Sequence, residues 1–482
     1  MRTKIVATLG PATASRERVR ALAEEGVDVF RINMAHTSHQ SLRHMVEWIR
    51  LASEELDKPI AVLADLAGPK IRIGELPSPI ELIDGSIVVL APEDEARGRE
   101  IPTTYERLAT DVVPGNRILL DDGLMELAVR TIDGRRVECE VVQGGRLLPN
   151  KGLNLPGIRV STPALTEKDI EDLGAAIEAD VDLVGLSFVQ RVEDVHDLRE
   201  RIGRDGARIV AKIEKDVALE NLPAILEATD VVMVARGDLG VELPFERVPV
   251  AQKRIIQHAN MFHRPVITAT KMLESMMDAP RPTRAEASDV ANALFDGTDA
   301  VMLSGETAAG RFPMHAVAAM RRIITEIEGT RAFNEGPKYD VAAAEAKAEL
   351  ERGIGVYPGR RKDPTDHAVA AVTCEASRLL QAAAIVCLTR FGGSARLVSS
   401  FRPPVPVLGV THDERTYRQL AIAWGVRPLL CPTEPTYDHM VAWARGWMMD
   451  KGIASKGDRF IVTAGVPFHV PGSTNMMRVE EL

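Results

Sequence analysis

Several short apolar runs in this chain end in polar residues that can bind, neutralise or move charge. One run closes on Lys212-Ile213-Glu214 and the next on Arg236-Gly237-Asp238. Others close on Arg31-Ile32-Asn33, Asp65, Ser187-Phe188, Thr270 and Ser304-Gly305-Glu306. Side chains alternate along an extended backbone, so Arg31 shares a face with Asn33, and Lys212 with Glu214. If these ends meet, two cations, two or three carboxylates and a hydroxyl converge. The Glu214/Asp238 pair suits a hard divalent cation, Mg2+ or Mn2+, that keeps places for phosphate oxygens. Lys212 and Arg31 are then placed to neutralise a transferring phosphoryl group or an enolate. Gly237 lets backbone N–H groups approach a bound carboxylate closely. Any one of these residues could be a helix cap or a surface ion pair. Their recurrence at successive run ends argues for one site. The chain has no Gly-Lys dipeptide, which excludes a Walker A loop. Thr283-Arg-Ala-Glu286 reads as a capping box, hence as structure, and Gly305–Gly310 as a tight closure.

The elements that must position these residues are legible as eight runs: Lys4–Leu9, Asp28–Asn33, Ile60–Leu66, Asp182–Phe188, Arg208–Glu214, Asp230–Ala235, Pro265–Thr270 and Asp299–Ser304. They are nearly continuous in Val, Ile, Leu and Ala, as expected of parallel strands buried on both faces. Most are spaced like βα units, which predicts a (β/α)8 TIM barrel whose strand ends form the mouth of the site. The spacing breaks between Leu66 and Asp182. There, alternating runs such as Arg117–Leu120 and Arg136–Val142 predict an inserted small β-barrel lid domain, antiparallel in its pairing. After about Ala332 a polar stretch, read as a linker with a helix, leads to further αβ units with strands at Ala384–Thr389, Val405–Val410, Val426–Cys431 and Arg459–Thr463, expected to form an open α/β domain. The expected division is residues 1–69 and 163–331 for the barrel, 70–162 for the lid and 332–482 for the C-terminal domain.

The bulk properties agree. The 482 residues are too many for one ordinary domain, and 45% hydrophobic with 27% charged is a globular balance. A net charge of −10 disfavours a nucleic-acid partner, so an anionic ligand needs a local cationic cluster. Cys139, Cys374, Cys387 and Cys431 fit no zinc spacing and read as buried thiols of a reducing compartment. With no membrane-length apolar run and no signal segment, the expectation is a cytoplasmic protein without a membrane partner.

Longer motifs narrow the reading. The segments Thr3-Lys-Ile-Val-Ala-Thr-Leu-Gly-Pro11, Ala211-Lys-Ile-Glu214, Ala235-Arg-Gly-Asp-Leu-Gly-Val-Glu242, Thr268-Ala-Thr-Lys-Met-Leu-Glu-Ser275 and the run from Pro282 to Gly310 resemble the pyruvate kinase family. The resemblance covers essentially the whole chain. It implies phosphoryl transfer from phosphoenolpyruvate to ADP, giving pyruvate and ATP. It implies that Arg31 holds the phosphoryl group, that Lys212 stabilises the enolate oxygen, and that Glu214 and Asp238 bind Mg2+ or Mn2+. Gly237, Asp238 and Thr270 are implied at the pyruvate end, with Thr270 in the chain of groups that delivers a proton to the enolate carbon. Asn33, His36, Arg72 and, from the lid, Lys151 are implied at the nucleotide. A homotetramer follows by family analogy. Another barrel enzyme of Mg2+-enolate chemistry would share Glu214 and Asp238 but would need neither lid nor Lys151, and a silent regulatory relative would be expected to have lost Lys212 or a metal carboxylate.

Two places depart from the family's pattern. Of its K+ ligands, Asn33 and Asp65 remain, while Ala35 and Leu66 replace a Ser and a Thr, and Lys70 stands where a Glu is usual. The expectation is an enzyme that does not require K+, with the Lys70 ammonium supplying the charge beside Asp65. The second departure is in the C-terminal domain. Thr389-Arg390-Phe391-Gly392-Gly393-Ser394 occupies the family's effector phosphate loop, where Thr389, Arg390, Gly393 and Ser394 could hold a sugar phosphate or AMP. Phe391 and Gly393 replace a Ser and an Arg of that loop, and Val470–Asn475 is expected to lie over the same pocket.

Overall fold

A computed structural model describes residues 1–203, 205–334, 364–432, 436–467 and 474–482. Eight parallel strands close into a barrel: β1 (Lys4–Leu9), β2 (Val29–Asn33), β3 (Ala61–Asp65), β4 (Leu183–Leu186), β5 (Arg208–Ile213), β6 (Val231–Ala235), β7 (Val266–Ala269) and β8 (Ala300–Leu303). Each lies within the run expected for it. The ladder closes where β1 pairs with β8, Lys4 opposite Ala300, and with β2, Val6 opposite Val29.

Helices such as Arg16–Glu25, His39–Glu55, Val248–Met261 and Pro313–Glu328 cover the outside. Their starts follow local chemistry. Ser15 and Ser38 accept N–H groups of the first turn, and Thr166 and Thr283 form capping boxes with Asp169 and Glu286. One apolar core lies between strands and helices, and a second fills the barrel with Val6, Val29, Leu63, Leu183, Met233 and Ile267. Ala421 and Ile422, from the C-terminal domain, belong to that inner core. The end of the barrel opposite the mouth is thus stoppered by another part of the chain.

The insert folds on its own core, which includes Ile73, Leu90, Ile118, Leu127 and Val137. Its strands form a six-stranded sheet, with a separate two-stranded ribbon of Ile80–Leu82 and Gly145–Leu147. One pair departs from the expected antiparallel pattern. Ile87–Pro92 and Ile101–Thr103 run parallel, because the segment between them crosses over instead of turning back.

The C-terminal domain is an open sheet of β9 (Ile385–Leu388), β10 (Val407–Thr411), β11 (Val426–Leu430), β12 (Arg459–Ala464) and β13 (Met476–Glu481), in the order β11-β10-β9-β12-β13. The antiparallel edge strand β13 was not expected from the sequence. The expected linker and helix before Asp366 lie largely outside the described residues, as does most of the Val470–Asn475 loop. All four cysteines are buried and free. Among the described residues no helix is long and apolar enough to cross a membrane.

Candidate active site

The strand ends meet at the mouth as a compact charge network. Lys212, at the end of β5, points its ammonium to Ser187 Oγ (2.7 Å), Glu214 Oε1 (2.9 Å) and Asp65 Oδ1 (3.3 Å). From β2, the Arg31 Nε donates to the other oxygen of Asp65 at 2.6 Å, and its Nη1 donates to Thr8 Oγ1 at 3.2 Å. Asp65 therefore aligns both cations on one buried carboxylate. Its Oδ1 has no hydrogen bond and only the Lys212 charge for company.

The electrostatics follow from burial and neighbours. Burial disfavours the charged form of Asp65, yet Lys212 and Arg31 overcome it and hold the carboxyl below its ordinary value. Burial disfavours the Lys212 ammonium in the same way, and Asp65 and Glu214 together raise it above its usual value. Glu214 goes the other way. Burial first, and then the charge of Asp238, push it up to about 7 in spite of Lys212. The Phe188 N–H donates to Glu214 Oε2 at 2.6 Å and fixes its direction. The two carboxylates, Glu214 and Asp238, repel each other's charge, and as a pair of hard oxygen donors on adjacent strand ends they fit Mg2+ or Mn2+. Among the described residues no cluster of three or more His, Cys, Asp or Glu could hold a metal, so substrate and water oxygens would have to complete the shell.

The pyruvate end implied by the sequence is built by close approach. Thr270 follows β7 with φ of +75°, and Lys271 follows with φ of +53°. A β-branched residue in the left-handed region is strained by about 1–3 kcal/mol and persists only where its surroundings impose it. Gly237 is one such surrounding. A Cβ there would stand 2.6 Å from Thr270 Cγ2, so glycine is what lets the two loops touch. Asp238 sits in the first turn of the short helix Arg236–Glu242.

The nucleotide candidates are more dispersed. Asn33 is half-buried and its Oδ1 accepts the Ala35 N–H at 3.2 Å. His36 and Arg72 are exposed, and Arg72 donates to the Asn150 carbonyl at 3.0 Å. Lys151, in the lid, pairs with Asp121 at 2.9 Å. Among the described residues, no ion pair or hydrogen bond joins the side chains of these last three to the Lys212 network. Lys70 is exposed as well, and no ion pair takes it to Asp65, whose partners are Arg31 and Lys212. Lys70 instead lies on the lid side, its Cε near Gly152, and lines a cavity of about 20 Å³ with Asp122, Asn154, Phe188, Lys215 and Asp238.

In the C-terminal domain the loop after β9 runs into a helix, Gly393–Ser400. Ser394 shares a 2.7 Å hydrogen bond with Thr474 Oγ1, the Thr389 N–H donates to Val410, and the Arg390 guanidinium lies 5.1 Å from the centre of the Phe391 ring.

Residue types at run ends did not reveal several contributors. Ser187 and Arg236 were visible as run-end residues but suggested no contact, and Thr8, inside β1, gave no sign of meeting Arg31. Lys215 and Glu242 form a buried pair at 3.1 Å beside the lid cavity, and only the position of Lys215 next to Glu214 hinted at it.

Comparison with known proteins finds that the family description "Pyruvate kinase, barrel domain" matches residues 1–317, and "Pyruvate kinase, alpha/beta domain" residues 367–480. A pyruvate kinase of Clostridium acetobutylicum is 41% identical over 99% of this chain and 99% of its own. Pyruvate kinase 2 of Synechocystis is 42% identical over 99% of this chain and 79% of its own. A solved pyruvate kinase from Cryptosporidium parvum superposes with a TM-score of 0.89 at 31% identity, covering 100% of this chain and 96% of that one.

Proposed function

The chain belongs to the pyruvate kinase family, and from that premise we propose how its own residues carry the transfer of a phosphoryl group from phosphoenolpyruvate to ADP. The observation that carries the reading is the Lys212 ammonium held between Asp65 and Glu214, with Arg31 on the far side of Asp65. Phosphoryl transfer asks a protein mainly for positioning and charge neutralisation. Arg31 holds the phosphoryl oxygens. Lys212 faces the oxygen that becomes an enolate as the phosphorus–oxygen bond breaks. Asp65 fixes the direction of both cations before substrate arrives, so little reorganisation is needed during the reaction. Thr270, seated against Gly237, presents its hydroxyl to the enolate carbon, where a proton must be added to give pyruvate. Mg2+ or Mn2+, held by Glu214 and Asp238, would supply further neutralisation of substrate carboxylate and phosphate oxygens. Asn33, His36, Arg72 and Lys151 are assigned to ADP, the last arriving as the lid closes.

K+ independence is part of the same proposal. Ala35 and Leu66 offer no side-chain oxygen, and Leu66 is buried. The flexible Lys70 stem begins five residues beyond Asp65, in the connection to the lid, and turning it inward on closure would bring a monovalent charge to that carboxylate. The test is ATP formation from ADP and phosphoenolpyruvate, with Mg2+ titrated and KCl replaced by tetramethylammonium chloride at constant ionic strength. Activity independent of KCl is expected, and a many-fold rise on adding KCl would overturn the K+ assignment.

The remaining assignments are a lid over residues 70–162 on a barrel of 1–69 and 163–331, a C-terminal domain over 332–482, a homotetramer and a cytoplasmic setting. The loop of Thr389, Arg390, Gly393 and Ser394 is assigned to a sugar phosphate or AMP. Calorimetric titration with each ligand tests it, and the absence of heat with all of them would leave the domain a role in assembly alone.

A further inference from the structure

Thr270 is held in its strained geometry by more than the space left at Gly237. The residue just before that glycine, Arg236, spreads its guanidinium across the backbone around Thr270. Its Nε donates to the Ala269 carbonyl at 3.2 Å and its Nη2 to the Thr270 carbonyl at 2.8 Å. The first carbonyl belongs to the peptide before Thr270 and the second to the peptide after it. Fixing both planes fixes φ and ψ of the residue between them. The same guanidinium also meets Met272 Sδ at 2.7 Å.

Arg236 is itself held from a third element. Its Nη1 donates to Asp289 at 2.7 Å, on the helix Arg284–Asp296, and lies 3.4 Å from Gln252. One side chain thus ties the end of β6, the last residue of β7 with the one that follows it, and an outer helix together.

We infer that Arg236 is a positioning residue for the protonation step, acting through Thr270 by pinning the two carbonyls that flank it. The inference rests on the reading of Thr270 given above. It identifies the geometric requirement as a planar, multi-donor side chain, which a lysine cannot replace although it keeps the charge.

The test is a double-mutant cycle. Arg236→Lys is expected to lower kcat about 10- to 100-fold, with KM for phosphoenolpyruvate and ADP within about two-fold. It is expected to slow, in the same proportion, solvent-deuterium exchange into the pyruvate methyl group, followed by NMR. In a Thr270→Ala background the same change is expected to cost less than about two-fold further. Asp289→Asn, at a half-exposed position, is expected to show the same pattern more weakly, and it carries the test if Arg236→Lys does not fold. Penalties that multiply in the double variant, or a loss confined to KM, would overturn the positioning role while leaving Thr270 its own. A Thr270→Ala enzyme with unchanged kcat and exchange would instead overturn the reading of Thr270, and the inference with it.

Discussion

At the scale of single residues, the mouth is a problem in charge balance. Lys212 is buried and gains its stability as a cation from two carboxylates, one of which also serves Arg31. Lys212→Met is expected to lower kcat about 10²–10³-fold, the range for loss of one preorganised donor at developing negative charge, with a far smaller change in KM for phosphoenolpyruvate; steady-state kinetics checks it. A second titrating residue lies far from the mouth. Burial, then His367 and Arg264, push His263 down to about 4, while its Nδ1 shares a 2.6 Å hydrogen bond with Ser400. An unfolded histidine titrates near 6.5, so between the two values the unfolded chain binds the extra proton. Stability therefore falls as pH drops through that window, with a slope of up to about 1.4 kcal/mol per pH unit. Urea midpoints at pH 7 and pH 5 should shift less in His263→Asn than in the wild type.

At the scale of elements, close contacts between neighbouring strands set the site. A Cβ at Gly185, on β4, would stand 2.6 Å from Asp65 Oδ1 and 3.3 Å from its Cα. Gly185→Ala is expected to cost about 1–3 kcal/mol and to reduce activity, because it pushes Asp65 away from Arg31 and Lys212. Gly174, inside the helix Glu167–Glu178, has nothing within 4 Å of its missing Cβ, so Gly174→Ala is expected to stabilise by about 0.5–1 kcal/mol without changing kcat. Thermal unfolding and steady-state kinetics on the two variants check both. The barrel was legible because strands buried on both faces must be written in unbroken Val, Ile, Leu and Ala. The edge strand Met476–Glu481 was not, since its exposed, charged pattern carries no such signal. The same divide runs through the site. Lys212, Glu214 and Asp238 stand out as charges at the ends of apolar runs. The hold of Arg236 on two carbonyls leaves no trace in residue types, because every residue there offers the same backbone oxygen. The side to which Lys70 turns is a rotamer choice on a flexible stem, which neighbouring residues in the chain do not fix.

At the scale of the whole molecule, the C-terminal domain is built into the underside of the barrel. Arg418 donates to Asp182 and Asp180 at 2.7 Å each, Arg208 reaches from the foot of β5 to the Phe391 carbonyl at 3.2 Å, and the buried Lys4 ammonium donates to the Val426 carbonyl at 2.8 Å. Arg418→Gln is expected to destabilise by about 1.5–3 kcal/mol, because Asp182 is fully buried and, among the described residues, keeps only Arg50 as a cationic partner; urea unfolding measures it. Arg208 also connects the loop after β9 to the strand that carries Lys212. The stopper of Ala421 and Ile422 bears on how the molecule is made. A ribosome delivers the chain from its N-terminus, so all eight barrel strands emerge before the two residues that seal them. The nascent barrel spends that interval with an apolar opening at its base. A fragment of residues 1–331 is expected to self-associate in light scattering, and co-expression with residues 364–482 is expected to return it to solution.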